Sequence, residues 1–115
     1  MKKTILLVED NLIVRMTLCE LLSAHFGFDV IEAADGVSAL EIVGNHLEIV
    51  LIISDVQMPR MDGDKLSVEA KKIRPKLPFI LMSGSNAPSS HQADRFLMKP
   101  PPMGVLKQTI QELLV

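Results

Sequence analysis

Five polar residues stand where apolar runs of the sequence break off. Glu9 and Asp10 follow "TILLV", Asp55 follows "VLIIS", Ser83 follows "FILM" and Lys99 follows "FLM". Taken singly, each has an ordinary reading: acids at strand ends meet solvent, Ser83 is a loop residue and Lys99 a solvated surface residue. Taken together they describe a reaction. Three carboxylates at close range destabilise one another unless a cation compensates, and an all-oxygen set suits Mg²⁺. Such a metal screens the acids from an incoming phosphoryl group and leaves one carboxylate free to attack phosphorus. A cation such as Lys99 would neutralise the transferred group, and a small donor such as Ser83 would bind another of its oxygens.

That reading requires elements that bring the five residues to one place. The apolar runs Thr4–Val8, Asp29–Ala33, Ile49–Ser54, Phe79–Ser83 and Phe96–Met98 read as strands. The first, third and fourth are nearly continuous in Ile, Leu and Val, as expected of strands covered on both faces. Helical spacing fills the intervals. Val14, Leu18, Leu21 and Leu22 share one face behind Asn11 as a cap, and Leu40, Val43 and Leu47 follow Gly36. Asp62 is placed to cap a helix that turns Leu66, Ala70 and Ile73 inward and stops at Pro75; a last helix from about Met103 carries Leu106, Ile110, Leu113 and Leu114. Strands alternating with helices predict right-handed βαβ units: an α/β, doubly wound, five-stranded parallel sheet with helices on both faces. Sheets of this kind bind ligands beyond the carboxyl ends of their strands, where all five polar residues fall.

Composition narrows the class. The 115 residues fit one domain, 1–115, able to bury roughly two-thirds of its unfolded surface. A net charge of -2 argues against nucleic acid as a partner. The single cysteine, Cys19, suits a reducing compartment and reads as a buried small hydrophobe rather than a reactive thiol. The basic Met1-Lys2-Lys3 start is followed by too short an apolar run for a signal peptide or a membrane span. The expectation is a soluble, cytoplasmic protein with no membrane partner.

"VEDN" after the first strand, "SDVQMPRMDG" after the third, "MSGS" after the fourth and "FLMKP" after the fifth resemble the receiver domain of two-component response regulators, in the family's order and over essentially the whole chain. The resemblance implies a flavodoxin-like strand order, 2-1-3-4-5. It implies that Asp55 accepts a phosphoryl group from a histidine of a kinase or a phosphotransfer protein. Glu9 and Asp10 match the acidic pair that holds Mg²⁺, with Asp55 and the backbone carbonyl of Gln57 as further ligands. Ser83 matches the hydroxyl residue that turns toward the phosphoryl group, and Phe96 the aromatic that changes rotamer with it, although plain core packing serves Phe96 equally. Lys99 matches the family's cation, and the Lys99–Pro100 bond its cis peptide. Met58 and Pro59 shape the loop after Asp55, and Gly63 fits a tight approach to the third helix. Gln57 and Ser85 match the two positions that flank attacking water; neither is an acid able to act as a base, which predicts slow to moderate dephosphorylation.

One stretch departs from the family pattern. Only twelve residues, Gly84 to Arg95, separate Ser83 from Phe96, where a fourth helix and two loops normally fit. Three helical turns need about eleven residues by themselves, and Pro88 disfavours helix across the middle. A turn capped by Ser89 or Ser90 is the most this stretch accommodates, so the fourth helix is expected shortened or missing. His91 reads as a surface residue, lacking a metal-spaced companion. The downstream partner, unknown from the sequence, would then meet a remodelled surface. Two forms fit: a stand-alone receiver, favoured by Met1 standing directly before the first strand, and a receiver cut from a hybrid histidine kinase. A haloacid-dehalogenase phosphatase would want an aspartate at Gln57. A flavodoxin-like FMN binder would not place Glu9 and Asp10 in its phosphate loop. A pseudo-receiver, an interaction module that is never phosphorylated, is the alternative the residues leave open.

Overall fold

The computed structural model describes residues 2–88 and 90–115. Five strands, β1 (Thr4–Val8), β2 (Asp29–Ala33), β3 (Ile49–Asp55), β4 (Phe79–Ser83) and β5 (Arg95–Met98), form one parallel sheet in the order β2-β1-β3-β4-β5. Because side chains alternate along a strand, the apolar runs feed both faces. Leu6, Val8, Ile52 and Leu81 pack with Ala39 and Val43 of α2 (Gly36–Asn45) and with Leu66 and Ala70 of α3 (Gly63–Ile73). Ile5, Leu7, Ile53, Ile80 and Met82 pack on the opposite face with Leu22, and with Leu106 and Ile110 of α4 (Met103–Leu113). Each such fully buried Leu or Ile contributes about 2 kcal/mol of hydrophobic stabilisation. Leu113 and Leu114 are half-buried at the rim of this second core.

Asn11 caps α1 (Leu12–Glu20) as expected, its Oδ1 accepting from the Val14 N–H at 3.0 Å. The helix continues as a π-helical turn over Leu21–His25 and ends at Gly27, whose φ of 81° is open to glycine without strain. α2 carries a cap that its sequence pattern does not single out: Asp35 Oδ1 accepts from the Ser38 N–H at 2.8 Å. Asp62 does precede α3, but its side chain makes no capping bond and accepts instead from the Met58 N–H at 3.1 Å.

Several expectations are corrected. β3 runs one residue further, to Asp55, and β5 starts one residue earlier, because Arg95 pairs with Ile80. Leu47 does not face inward: α2 ends at Asn45, after the weak helix formers Gly44 and Asn45, and Leu47 is 77% exposed in the following loop. Ile73, in the last turn of α3, is likewise exposed. Cys19 is only half-buried: it packs against the second core at its edge, and its Sγ lies 3.7 Å from Glu32 Oε2.

Between β4 and β5 the described residues contain no helix, so of the two forms expected the fourth helix is missing rather than shortened; Ser90 sits in a bend, and Ser89 lies outside the described residues. Among the described residues the connection is tied down at Ser85, by Ser83, and then only near its end. The Gln92 N–H donates to Ser67 Oγ of α3 at 2.9 Å, and the Ala93 N–H to Nδ1 of the half-buried His91 at 3.1 Å. Asp94 Oδ2 accepts from the Phe79 N–H and from Lys71 Nζ, each at 2.8 Å.

Candidate functional site

The parallel order carries Glu9, Asp10, Asp55, Ser83 and Lys99 to one end of the sheet, beyond adjacent strands β1, β3, β4 and β5. Carboxylate oxygens of Glu9, Asp10 and Asp55 lie within 4.8 Å of one another. Lys99 reaches into this group: its Nζ is 2.6 Å from Glu9 Oε1 and 3.2 Å from Asp55 Oδ2. Glu9 is 1% exposed, and its second oxygen accepts from the Asn11 N–H at 3.1 Å. Asp10, by contrast, is exposed. Asp55 turns Oδ1 to the Val56 N–H at 2.8 Å.

The electrostatics follow from that packing. Burial pushes the Glu9 carboxyl up, and the neighbouring charge of Asp55 adds to it, against the Lys99 and Asn11 hydrogen bonds that pull it down. Burial also works against the Lys99 ammonium, but its bond to Glu9 and the charge of Asp55 outweigh that cost and raise its pKa. These directions oppose each other across one short contact. A separation of 2.6 Å is that of a charge-assisted bond, so the ionised pair is the state the geometry supports. One ammonium does not balance three carboxylates. The hard oxygen donors and the remaining negative charge fit a divalent cation of the Mg²⁺ type.

The backbone around Asp55 is held from several sides. Ser54 Oγ donates to the Asp55 carbonyl at 2.8 Å, and the Gly63 N–H donates to the Val56 carbonyl at 2.7 Å. A Cβ on Gly63 would collide with the Asp55 carbonyl, so the tight approach predicted for this glycine is real. Arg60, at a left-handed φ of 68°, donates from Nη2 to Asp35 Oδ1 and to Ser38 Oγ, both at 2.9 Å, and so clips this loop to the start of α2. Arg15, unremarkable in the sequence, braces the acidic loop. Its Nη1 donates to the Glu9 carbonyl at 2.7 Å while its Nε meets Glu32 at 3.2 Å. The signal was present as an arginine one turn inside the helix that follows an acidic pair, but its acceptors are set by the fold.

Ser83 is buried, and its Oγ lies 3.2 Å from Ser85 Oγ and accepts from the Ser85 N–H at 3.1 Å. Its carbonyl accepts from the Lys99 N–H at 2.8 Å, which ties the ends of β4 and β5 together. Lys99–Pro100 is cis, as the resemblance implies. Phe96 is half-buried and packs against the core shared with α2 and α3. Gln57 is exposed beside Asp55.

A doubly wound sheet with a lysine among three carboxylates at its carboxyl end defines a class of phosphoryl-handling signalling modules. The chain belongs to the response regulator receiver domain family, whose model matches residues 5–111. It is 41% identical to the sensor kinase CckA of Brucella abortus over 96% of its own length, and 36% identical to the sensor histidine kinase RcsC of Escherichia coli over 92%. The chain spans only 12% of each of these relatives. The crystal structure of the receiver domain from the hybrid histidine kinase CckA superposes with a TM-score of 0.84 at 36% identity, covering 97% of this chain and 99% of that one. The family is that of phosphorelay signalling, and the acidic cluster fits its Mg²⁺ and phosphoaspartate site. Among the described residues, no helix is long and apolar enough to cross a membrane.

Proposed function

We propose that this chain, acting over residues 1–115 as a cytoplasmic receiver, takes a phosphoryl group from a phosphohistidine of a partner protein onto Asp55. The observation that carries the reading is the position of Asp55, within carboxylate reach of Glu9 and Asp10 and 3.2 Å from the Lys99 ammonium. An Asp55 oxygen forms the bond to phosphorus as the N–P bond of the donor breaks, and the electron pair of that bond returns to the imidazole. Lys99 donates to a phosphoryl oxygen and keeps its proton. To do so it gives up part of its hold on Glu9, which stays paired with the Asn11 N–H. Ser83 rotates out of its contacts with Ser85 and donates to another phosphoryl oxygen, and Phe96 moves into the space released. A bound Mg²⁺ would be held by Glu9, Asp10, Asp55 and the Gln57 carbonyl, and would offset carboxylate charge and draw the phosphoryl oxygens.

The donor is a histidine kinase or a phosphotransfer protein. Lys99 also lines an apolar groove with Ile13, Val14, Leu18, Met82 and Pro100, and α1 leaves Leu12, Ile13 and Met16 exposed beside it. Apolar surface bordering the reacting group supports a macromolecular donor over a small one. The molecule is a signalling module that catalyses only its own phosphoryl uptake and loss.

The test is incubation with Mg²⁺ and acetyl phosphate, read by intact mass. One phosphoryl adduct is expected in wild type and none in Asp55→Asn. No adduct in wild type would leave an interaction module that is not phosphorylated. With Gln57 and Ser85 beside the site, the adduct persists for minutes, and its loss within seconds would contradict the assignment of these two positions.

A further inference from the structure

The end of the sheet opposite the acidic cluster carries a second cleft, of about 540 Å³. Ile49, in its wall, is six residues upstream of Asp55 on β3, which places the cleft about 20 Å from the phosphoryl site. Its walls are apolar: Leu47, Val50, Leu77 and Pro78. Its charged lining is Arg74 and Lys76, both cationic. Arg74 Nη1 is shielded from solvent and meets no hydrogen-bond acceptor among the described residues. Glu48, which stands between the lining residues Leu47 and Ile49, is paired instead with His46 Nδ1 at 3.2 Å.

Arg74 is half-buried, and a guanidinium nitrogen shielded from water without an acceptor is costly; a carboxylate is the acceptor whose geometry matches the guanidinium fork. The exposed Leu47 beside it offers contact area to an aliphatic group rather than to water. The cleft is open to solvent along the Leu47 and Lys76 rim, which suits an extended segment rather than an enclosed metabolite. The curated relatives, of which this chain spans 12%, carry such a unit among much other polypeptide.

We infer that this cleft binds a segment of a partner polypeptide in which a glutamate or aspartate is flanked by aliphatic residues, the carboxylate meeting Arg74 and the aliphatic side chain lying on Leu47 and Pro78. It is a docking site separate from the phosphoryl site and does not depend on Asp55.

The test uses the full ¹⁵N-labelled chain titrated with the blocked tripeptide acetyl-Leu-Glu-Leu-amide and with its Gln counterpart. Saturable shifts of the Val50, Lys76 and Leu77 amides are expected with the Glu peptide, at least tenfold weaker with the Gln peptide and in Arg74→Gln. Leu47→Ser, at a position too exposed to threaten folding, is expected to weaken binding several-fold and decides the matter if Arg74→Gln does not fold. The proposal is overturned by the absence of saturable shifts, by equal binding of the two peptides, or by wild-type affinity in either variant. Competition by inorganic phosphate as effective as that of the Glu peptide would also overturn it, since the site would then read charge alone.

Discussion

Two connections leave the carboxyl end of the sheet beside the candidate site, and they are built in opposite ways. The passage from β3 to α3 is bound at nearly every step: Ser54 to the Asp55 carbonyl, Gly63 to Val56, Asp62 to Met58, Met61 to Pro59 and Arg60 to Asp35. The passage from β4 to β5 is held at Ser85 by Ser83 and then, among the described residues, not again until Gln92, Ala93 and Asp94. Asp55, the proposed nucleophile, therefore sits on a fixed frame, which orienting a reacting group requires. The hydroxyl residue sits at the mouth of a loosely held loop. In the function proposed above, chemistry and its readout would draw on opposite ends of the stability range within one small sheet.

Substitutions can break or sharpen that contrast. The largest effect is expected at Gly63→Ala, where the new methyl group meets the Asp55 carbonyl and the backbone must shift. A loss of about 3 kcal/mol, read by urea unfolding, is the overpacking cost. Unchanged stability would show that the frame is not rigid.

Next is Asp94→Ala, which leaves the Phe79 N–H and Lys71 Nζ without the carboxylate both now use. Its cost is about 2 kcal/mol, and hydrogen exchange should show the loop from 84 to 94 opening while residues 55 to 63 stay protected. Equal loss of protection in both passages would remove the distinction between them.

Asp35→Ala removes the α2 cap and one end of the Arg60 clip, at about 1 kcal/mol. The backbone bond from Ser38, helped by Arg60, holds the Asp35 carboxyl below its ordinary value. A depressed carboxyl contributes stability above its unfolded pKa, and that contribution is lost as pH falls through the folded pKa. The wild type should therefore lose stability on acidification more steeply than Asp35→Asn, in unfolding midpoints measured from neutral pH to below pH ~4. Parallel curves would show that this carboxylate does not contribute.

The smallest effect is at Gly84→Ala. A Cβ there meets nothing within 4 Å, so stability should stay within about 0.5 kcal/mol of wild type or rise slightly. A large loss would mean that the second loop is packed after all.

The contrast also marks how far the sequence could be read. Residues whose positions depend on strand order were legible: apolar runs buried on both faces dictate a parallel sheet, and Asp55, Ser83 and Lys99 ride at its strand ends. The missing helix was legible too, as arithmetic on chain length between Ser83 and Phe96. Side-chain partners were not. Asp62 has the identity of a cap yet serves Met58, whereas Asp35 is the cap that bonds, because each choice turns on a loop whose path no local pattern records. Leu47 and Ile73 fit the helical period but fall where the helices end, and period alone does not locate an end. Arg15 and Arg74 owe their interest to what lies around them, and nothing in their spacing announces it.

β5 is an edge strand of four residues, and the composition of its flanks bears on solubility. An uncovered edge offers free N–H and C=O groups to any other strand and so invites edge-to-edge association. Here the strand is bracketed by Arg95 and Lys99, and the chain continues into Pro100, Pro101 and Pro102, which have no N–H to give. Foreign strands are refused beyond Met98 by composition alone. The same proline run that borders the candidate site thus works as a gatekeeper against aggregation.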